Sequence, residues 1–308
     1  MPDCKSVLRR LSVDKRDERK GPVPELLRHR SLGKGYHTLH GGFGRRMTAV
    51  DFEKFVEELA HVSGEAILPF FRTALSARNK SSAGDFDPVT EADHAAETAM
   101  RRLIEQFFPE HGIVGEEFGD RRVDAEYVWT LDPIDGTKSF ICGFPTWGTL
   151  IGLSHKGAPV YGLMNQPFTR ERFFGDGEAA FWSRYDGAEK RRIATRRCAA
   201  LSEATLMTTS PLLIEEGRLE AFRRVEKQAR LSRYGGDCYA YCALAAGHVD
   251  LVIEAGLHPY DIVALIPIVR GAGGIVTTWS GEDASKGGAI IAAGDPRVHE
   301  AALKMLGA

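Results

Sequence analysis

Apolar positions along this chain switch repeatedly between the helical and the strand period. Phe52, Phe55, Val56 and Leu59 recur at helical spacing after Thr48-x-x-Asp51, which has nearly the form of a capping box, so a helix is predicted to about Arg72. A polar loop, Arg78 to Pro88, separates it from a second helix, opened by Thr90-x-x-Asp93, carried by Ala96, Met100, Leu103, Ile104 and Phe107, and stopped before Pro109. Short β-branched or bulky runs then predict strands: Ile113-Val114, Tyr127 to Leu131, Thr146 to Ser154, Pro159 to Met164, and a hairpin of Arg172 to Gly175 and Ala179 to Trp182 around Asp176-Gly177. In the second half, helices are predicted over 215–230, 238–246, 262–270 and 296–306, with strands over 249–253, 275–279 and 289–292. No repeat and no linker interrupts 47–308, and no strict βαβ rhythm runs through it. Layered mixed sheets within one unit are expected.

Composition narrows the class. At 308 residues and 43% hydrophobic, the chain can bury a large core. The longest apolar candidate for a membrane span, Tyr260 to Val269, is too short and contains Asp261 and Pro267. Five cysteines, odd in number and without a C-x-x-C pair, point to a reduced, cytoplasmic compartment. Cys238 and Cys242, one helical turn apart, read as core packing.

Residues 1–46 carry 12 Lys/Arg against 5 Asp/Glu, a surplus of seven cations, whereas the whole chain is −2; the remainder is therefore −9. This segment has few large apolar residues, a Pro-Val-Pro and a Gly/His-rich end, and reads as a basic, mostly disordered leader. It lacks the apolar core of a secretory signal, and its acidic residues argue against a transit peptide. Met47, immediately before the first helix, is an alternative natural start. Sparse aromatic interleaving argues against a nucleic-acid-binding arm.

The candidate chemistry centres on Trp129-Thr130-Leu131-Asp132-Pro133-Ile134-Asp135-Gly136-Thr137. The strand is expected to stop at Asp132-Pro133, because proline cannot donate to a ladder. Two carboxylates three apart around the turn would face one small volume. Gly136 allows close backbone approach, and Thr137 adds a hydroxyl and an N–H. Paired carboxylates hold hard cations and turn N–H groups hold phosphate oxygens, so the combination points to metal-assisted phosphate chemistry. Taken alone, Asp-x-x-Asp reads more readily as a capped turn in solvent, and the rest of the chain reverses that reading. Two further acidic sites fall at predicted strand or turn ends: Glu116-Glu117, and Asp261, which alone reads as an N-cap. Asp93 alone reads as the third residue of its helix's cap. Zincin, P-loop and hydrolase-elbow motifs are absent.

Glu116-Glu117, Asp132-Pro133-Ile134-Asp135-Gly136-Thr137 and Tyr260-Asp261, with Asp87-Pro88-Val89-Thr90-Glu91-Ala92-Asp93 upstream, closely resemble the inositol monophosphatase superfamily over 47–308. The resemblance implies a mixed α/β fold, an α-β-α-β-α sandwich, made of two α/β subdomains over about 47–195 and 196–308. It further implies a Mg2+-dependent, often homodimeric phosphomonoesterase with two or three Mg2+ per site, replaceable by Mn2+ or another divalent ion. By the same resemblance Glu116, Asp132 and the Ile134 carbonyl hold one ion, and Asp132, Asp135 and Asp261 a second. Asp93 serves a third through water. Thr137 hydrogen-bonds a carboxylate and orients the attacking water, while Glu116 or Glu117 helps remove its proton. N–H groups of Gly136 and Thr137 cradle the phosphate at a helix start.

Within the superfamily, Lys138-Ser139-Phe140, Gly235-Gly236-Asp237-Cys238-Tyr239 and Pro259-Tyr260-Asp261-Ile262 resemble histidinol-phosphate phosphatases of histidine biosynthesis; His258 departs from that branch, which commonly has lysine there. Asp237, which otherwise reads as a helix cap, and Glu254 are then the substrate residues, suited to the ammonium and imidazole of histidinol phosphate. Lys80 either balances the acids or is a solvated loop residue. The rival activities are a broad inositol-1-phosphate or sugar monophosphatase and a 3′-phosphoadenosine phosphatase. Outside enzymes, the rival is an RNA-binding regulator on the same fold.

Overall fold

The computed structural model describes residues 52–73, 78–79, 88–89, 91–184 and 189–307. The leader, Met47, Thr48-x-x-Asp51, Lys80, Asp87 and Thr90 lie outside the described residues.

Helix α1 (Phe52–Ile67) is followed by a two-residue antiparallel ladder, β1 (Arg78–Asn79) with β2 (Pro88–Val89), and by helix α2 (Glu91–Phe107). A seven-stranded sheet then forms in sequence order: β3 (Gly112–Gly115), β4 (Tyr127–Asp135), short helix α3 (Thr137–Ile141), β5 (Gly148–His155), β6 (Ala158–Gln166), β7 (Glu171–Gly175), β8 (Ala180–Arg184) and β9 (Lys190–Ile193). β3 pairs parallel to β4, and every later neighbour is antiparallel. The second half contributes β10 (Thr205–Thr208), α4 (Glu216–Gln228), β11 (Leu231–Tyr234), α5 (Cys238–Ala245), β12 (Leu251–Leu257), α6 (Pro259–Ile262), α7 (Leu265–Gly271), β13 (Ile275–Thr278), β14 (Gly288–Ala293) and α8 (Pro296–Leu306). Its sheet runs β11-β10-β12-β14-β13.

Period-two alternation distributes side chains between the cores on either face of each sheet. On β5 and β6, Ile151 and Leu163 face the α1–α2 layer, whereas Leu150 and Met164 face α5 and α7. On β12 and β14, Val252 and Ala292 face α5 and α7, whereas Leu251, Ile253 and Ala293 face α4 and α8. The layers are therefore α1–α2, seven-stranded sheet, α5–α7, five-stranded sheet, α4–α8, the five-layer α-β-α-β-α sandwich expected from the resemblance. The middle helices sit close to the first sheet: a Cβ on Gly162 would lie 1.7 Å from the Ala264 carbonyl oxygen. Among the described residues, no helix is long and apolar enough to cross a membrane.

Several expectations shift. β4 does not stop at Asp132-Pro133 but continues to Asp135 through an irregularity in its pairing with β5. The helix expected over 262–270 is two pieces, α6 and α7, and β12 runs on to Leu257. Strands β9, β10 and β11 were not foreseen. β9 begins Lys190-Arg191-Arg192, all exposed, and reads as loop, yet consecutive cations are a common way to protect a sheet edge. Cys238 and Cys242 are buried on α5 with unbridged thiols, as their spacing implied.

One core contact carries a pH prediction. Trp129, fully buried, donates its indole N–H to His111 Nδ1 at 3.1 Å, so the imidazole is neutral with its proton on Nε2. Burial lowers its pKa from 6.5 to about 4. A depressed histidine adds stability above the unfolded pKa and loses it as pH falls, since the unfolded chain takes up the proton first. Urea unfolding at pH 7 and pH 5 is expected to show a loss on the order of 1 kcal/mol from this ring, reduced because the half-buried imidazole keeps some water. His111→Gln should flatten that difference; an unchanged pH slope refutes the assignment.

Candidate active site

The strand irregularity builds the centre of the site. In a regular strand Asp132 and Asp135 would point to opposite faces. Their pairing with β5 shifts register between the two, from Asp132 opposite Leu150 to Asp135 opposite Gly148, and Thr149 Oγ1 donates to the Pro133 carbonyl at 2.8 Å. The bulge re-aims the second carboxylate, as bulges do. Asp261 arrives from α6, and one oxygen each of Asp132, Asp135 and Asp261 lie within 4.8 Å of one another.

The surroundings are acidic as well as buried. Asp132 is 1% exposed; burial pushes its carboxyl well above the usual range, and the charges of Glu116, Asp135, Asp261 and Asp93 push it further. Asp135 is likewise raised by burial, then by Asp237 and Asp261. Asp261 is pushed up to about 6, first by burial. The Oδ1 atom of Asp132 has no hydrogen-bond partner among the described residues. A cluster of hard oxygen donors, mutually repulsive and with one buried oxygen unsatisfied, fits a divalent cation.

Elements from across the chain hold these groups in place. Asp135 Oδ2 accepts the N–H of Cys238, the first residue of α5, at 2.5 Å. Asp261 is not the N-cap of its helix, as its sequence position implied. His258 is the N-cap and Asp261 the third helical residue, with Oδ2 accepting the His258 N–H at 2.6 Å. The His258 ring stacks on Tyr260 at 5.0 Å. Asp93 sits in the first turn of α2, 2% exposed. Glu116 follows β3, its N–H donating to the Leu131 carbonyl at 3.3 Å, which ties its turn to β4 beside Asp132.

Two predicted residues are engaged differently from expectation. Thr137 Oγ1 donates to the Ile134 carbonyl at 3.2 Å rather than to a carboxylate. Glu117 Oε2 lies 2.8 Å from His94 Nε2, so its side chain is turned to α2. The helix after Gly136 has five residues, too short for much of a dipole, though Gly136 itself takes φ 89°, where glycine is favoured.

Asp237 occupies the N-cap position of α5, yet its side chain makes no cap bond. Ser139 Oγ donates to its Oδ2 at 3.0 Å, and Thr146 Oγ1 donates to Ser139 Oγ at 3.1 Å. A Cβ on Gly136 would lie 3.0 Å from Asp237 Oδ2, so glycine lets the two turns meet. Asp237 has φ 44°, strained for a non-glycine residue, and burial raises its pKa. Glu254, 2% exposed on β12, accepts from Thr209 N at 2.6 Å, Thr209 Oγ1 at 2.9 Å and Thr208 Oγ1 at 3.3 Å. Burial still pushes it up to about 7.

Sequence reading passed over Ser139, Thr209 and Tyr241. The last has its hydroxyl buried with no hydrogen-bond partner among the described residues, and its pKa is raised by burial and then by Glu254, Asp135 and Asp261. Only Ser139, in the quoted Lys138-Ser139-Phe140, lay in a motif that could have pointed to it.

The five layers and the acid cage at the β4 turn are those of a metal-dependent phosphatase. Residues 49–307 match the inositol monophosphatase family, to which the chain belongs. It is 46% identical over 259 residues to the chloroplastic bifunctional phosphatase IMPL2 of Arabidopsis thaliana, covering 80% of this chain and 72% of that one. It is 35% identical over 226 residues to a histidinol-phosphatase of Mycobacterium tuberculosis, covering 73% and 86%. Among solved structures, an inositol monophosphatase from Zymomonas mobilis superposes with a TM-score of 0.75 at 44% identity, covering 84% of this chain and 98% of that one.

Proposed function

We propose that this phosphatase hydrolyses histidinol phosphate to histidinol and inorganic phosphate, using Mg2+ held by Glu116, Asp132, the Ile134 carbonyl, Asp135 and Asp261, with Asp93 at a weaker third position. The observation that carries the substrate is the carboxylate of Asp237, pinned by Ser139 beside Gly136, next to the acid cage. An ammonium or imidazolium is attracted there, whereas a neutral polyol ring gains little from a charge. The histidinol-phosphatase relative supports the same reading.

Bound divalent cations supply charge neutralisation for the phosphoryl oxygens and a lowered pKa for water. The chain's own residues do the rest. Thr137 spends its hydroxyl proton on the Ile134 carbonyl, which leaves its lone pairs to accept from a water and orient it. Glu116 takes that water's proton; we assign it the role over Glu117, whose carboxylate is engaged by His94. Water's oxygen bonds to phosphorus, the ester P–O bond breaks, the leaving alkoxide takes a proton from solvent water to become the alcohol, and Glu116 returns its proton to solvent. Backbone N–H groups at Gly136 and Thr137 hold the phosphoryl oxygens.

The test is a phosphate-release panel in Mg2+ with histidinol phosphate, inositol 1-phosphate and 3′-phosphoadenosine 5′-phosphate. The highest kcat/KM is expected on histidinol phosphate; a preference for either of the others rejects the substrate. Stability should respond to metal independently of turnover. At about 100 times its Kd, a cation bound only by the folded state adds roughly 2.7 kcal/mol, a rise of about 5 °C or more in Tm that a chelator reverses. No Mg2+-dependent shift would count against the cage as a cation site. The unbridged cysteines fit a reducing compartment, the cytoplasm in the simplest case. A homodimer is the expected assembly, checked by light scattering.

A further inference from the structure

Glu97 of α2 lies outside the acid cage, yet it is fully buried and accepts two hydrogen bonds from the turn that carries Glu116. Its Oε2 accepts the N–H of Glu117 at 2.8 Å. Its Oε1 accepts the N–H of Phe118 at 3.2 Å and Arg101 Nε at 2.7 Å. Arg101, one turn further along the helix, donates through Nη2 to the Gly119 carbonyl. A carboxylate and a guanidinium thus grip two N–H groups and one carbonyl of the segment 116–119.

Two neighbours tighten the grip. A Cβ on Gly115 would lie 2.1 Å from Glu97 Oε1 and 2.5 Å from Arg101 Nη2, so the strand reaches the clamp only because residue 115 is glycine. His94, on the same side of α2, meets Glu117 Oε2 at 2.8 Å, and its ring lies 5.4 Å from that of Phe118. Residues 93, 97 and 101 follow one another at four-residue steps and share a helix face. The face that brings Asp93 near Asp132 therefore also holds the turn that presents Glu116. Glu97 adds no net charge to the cage, because Arg101 balances it.

We propose that Glu97, clamped by Arg101, is a positioning residue that fixes Glu116 as a cation ligand and thereby sets the cation affinity of the site. This rests on reading the acid cage as a cation site. The alternative is that the clamp only stabilises the fold. Glu97→Gln separates the two: glutamine keeps the length, but its amide NH2 must face one of three donors, Glu117 N, Phe118 N or Arg101 Nε, and the turn is released. Groups that orient metal ligands typically change affinity by about 10–100-fold when removed.

The experiment titrates metal-free protein with Mn2+, followed calorimetrically and by electron paramagnetic resonance, alongside Tm in chelator. Glu97→Gln is expected to weaken Mn2+ binding about 10–100-fold, while kcat at saturating cation recovers most of its wild-type value. Glu105→Gln, a change on the same helix that removes an exposed ion pair with Arg121, should leave affinity unchanged. A folded Glu97→Gln protein with wild-type affinity and a lowered Tm overturns the proposal in favour of a purely structural clamp. If Glu97→Gln does not fold, Arg101→Met decides by the same criterion, since it frees the Gly119 carbonyl and leaves the carboxylate in place. Wild-type protein that binds no Mn2+ overturns the cation-site reading itself, a result distinct from wild-type binding that the variants leave untouched.

Discussion

Asp135→Asn is expected to reduce phosphate release by at least about a thousandfold while the metal-free protein melts no lower than wild type. The two halves follow from one geometry. Asp135 Oδ2 accepts the Cys238 N–H at the start of α5, and an asparagine carbonyl oxygen can accept the same bond. Helix α5 thus keeps its cap and the fold its packing. What asparagine cannot supply is the charge. Burial and the carboxylates of Asp237 and Asp261 already make ionised Asp135 costly, so removing that charge relieves repulsion when no cation is bound. With cation present the same charge is what binds, and its loss removes both affinity and the electrostatic help given to the transferring phosphoryl group. Phosphate release in saturating Mg2+, with Tm in chelator, checks both halves. Turnover near wild type would remove Asp135 from the site; a Tm drop of many degrees in chelator would make the loss of activity a folding effect.

The acids themselves were legible because each sits in a short string where strand signals give way to turn signals. What the string does not contain is the direction in which each carboxylate points. Proline at 133 argued for the end of a strand, whereas the strand bulges and continues, and it is the bulge that brings Asp132 and Asp135 to one side. Asp261 read as an N-cap because it opens an apolar helix pattern. The pattern is split, and the short α6 uses it as the third residue of a capping box. Period counting found α1, α2, α4 and α8, whose apolar stripes are long, and α5 stood out as a run of small residues. Counting missed β10, the strand lying between β11 and β12, because four residues such as Thr205-Leu206-Met207-Thr208 give too little alternation to see. Glu97 escaped for a different reason. A glutamate in mid-helix is ordinary in sequence, and only its burial against a distant turn marks it.

The same limit applies to Asp237, whose position suggested a helix cap and whose side chain does something else. Asp237→Asn is expected to lower kcat/KM for histidinol phosphate by roughly 10–100-fold while leaving kcat/KM for inositol 1-phosphate within about threefold. A hydrogen bond to a charged partner contributes about 1.5–3 kcal/mol, which converts to that range. Asparagine is the informative replacement because it retains the side-chain shape and an oxygen for Ser139. It also tolerates positive φ better than alanine, so the strained backbone at φ 44° is not asked to relax. The change therefore isolates charge from shape. If the loss falls on KM, Asp237 acts in binding the cationic end of the substrate; if it falls equally on kcat for both substrates, the residue acts through its neighbour Asp135, whose carboxyl it already influences. Equal kcat/KM values for wild type and variant on histidinol phosphate would leave Asp237 as a structural partner of Ser139, and the selectivity would have to come from elsewhere in the pocket.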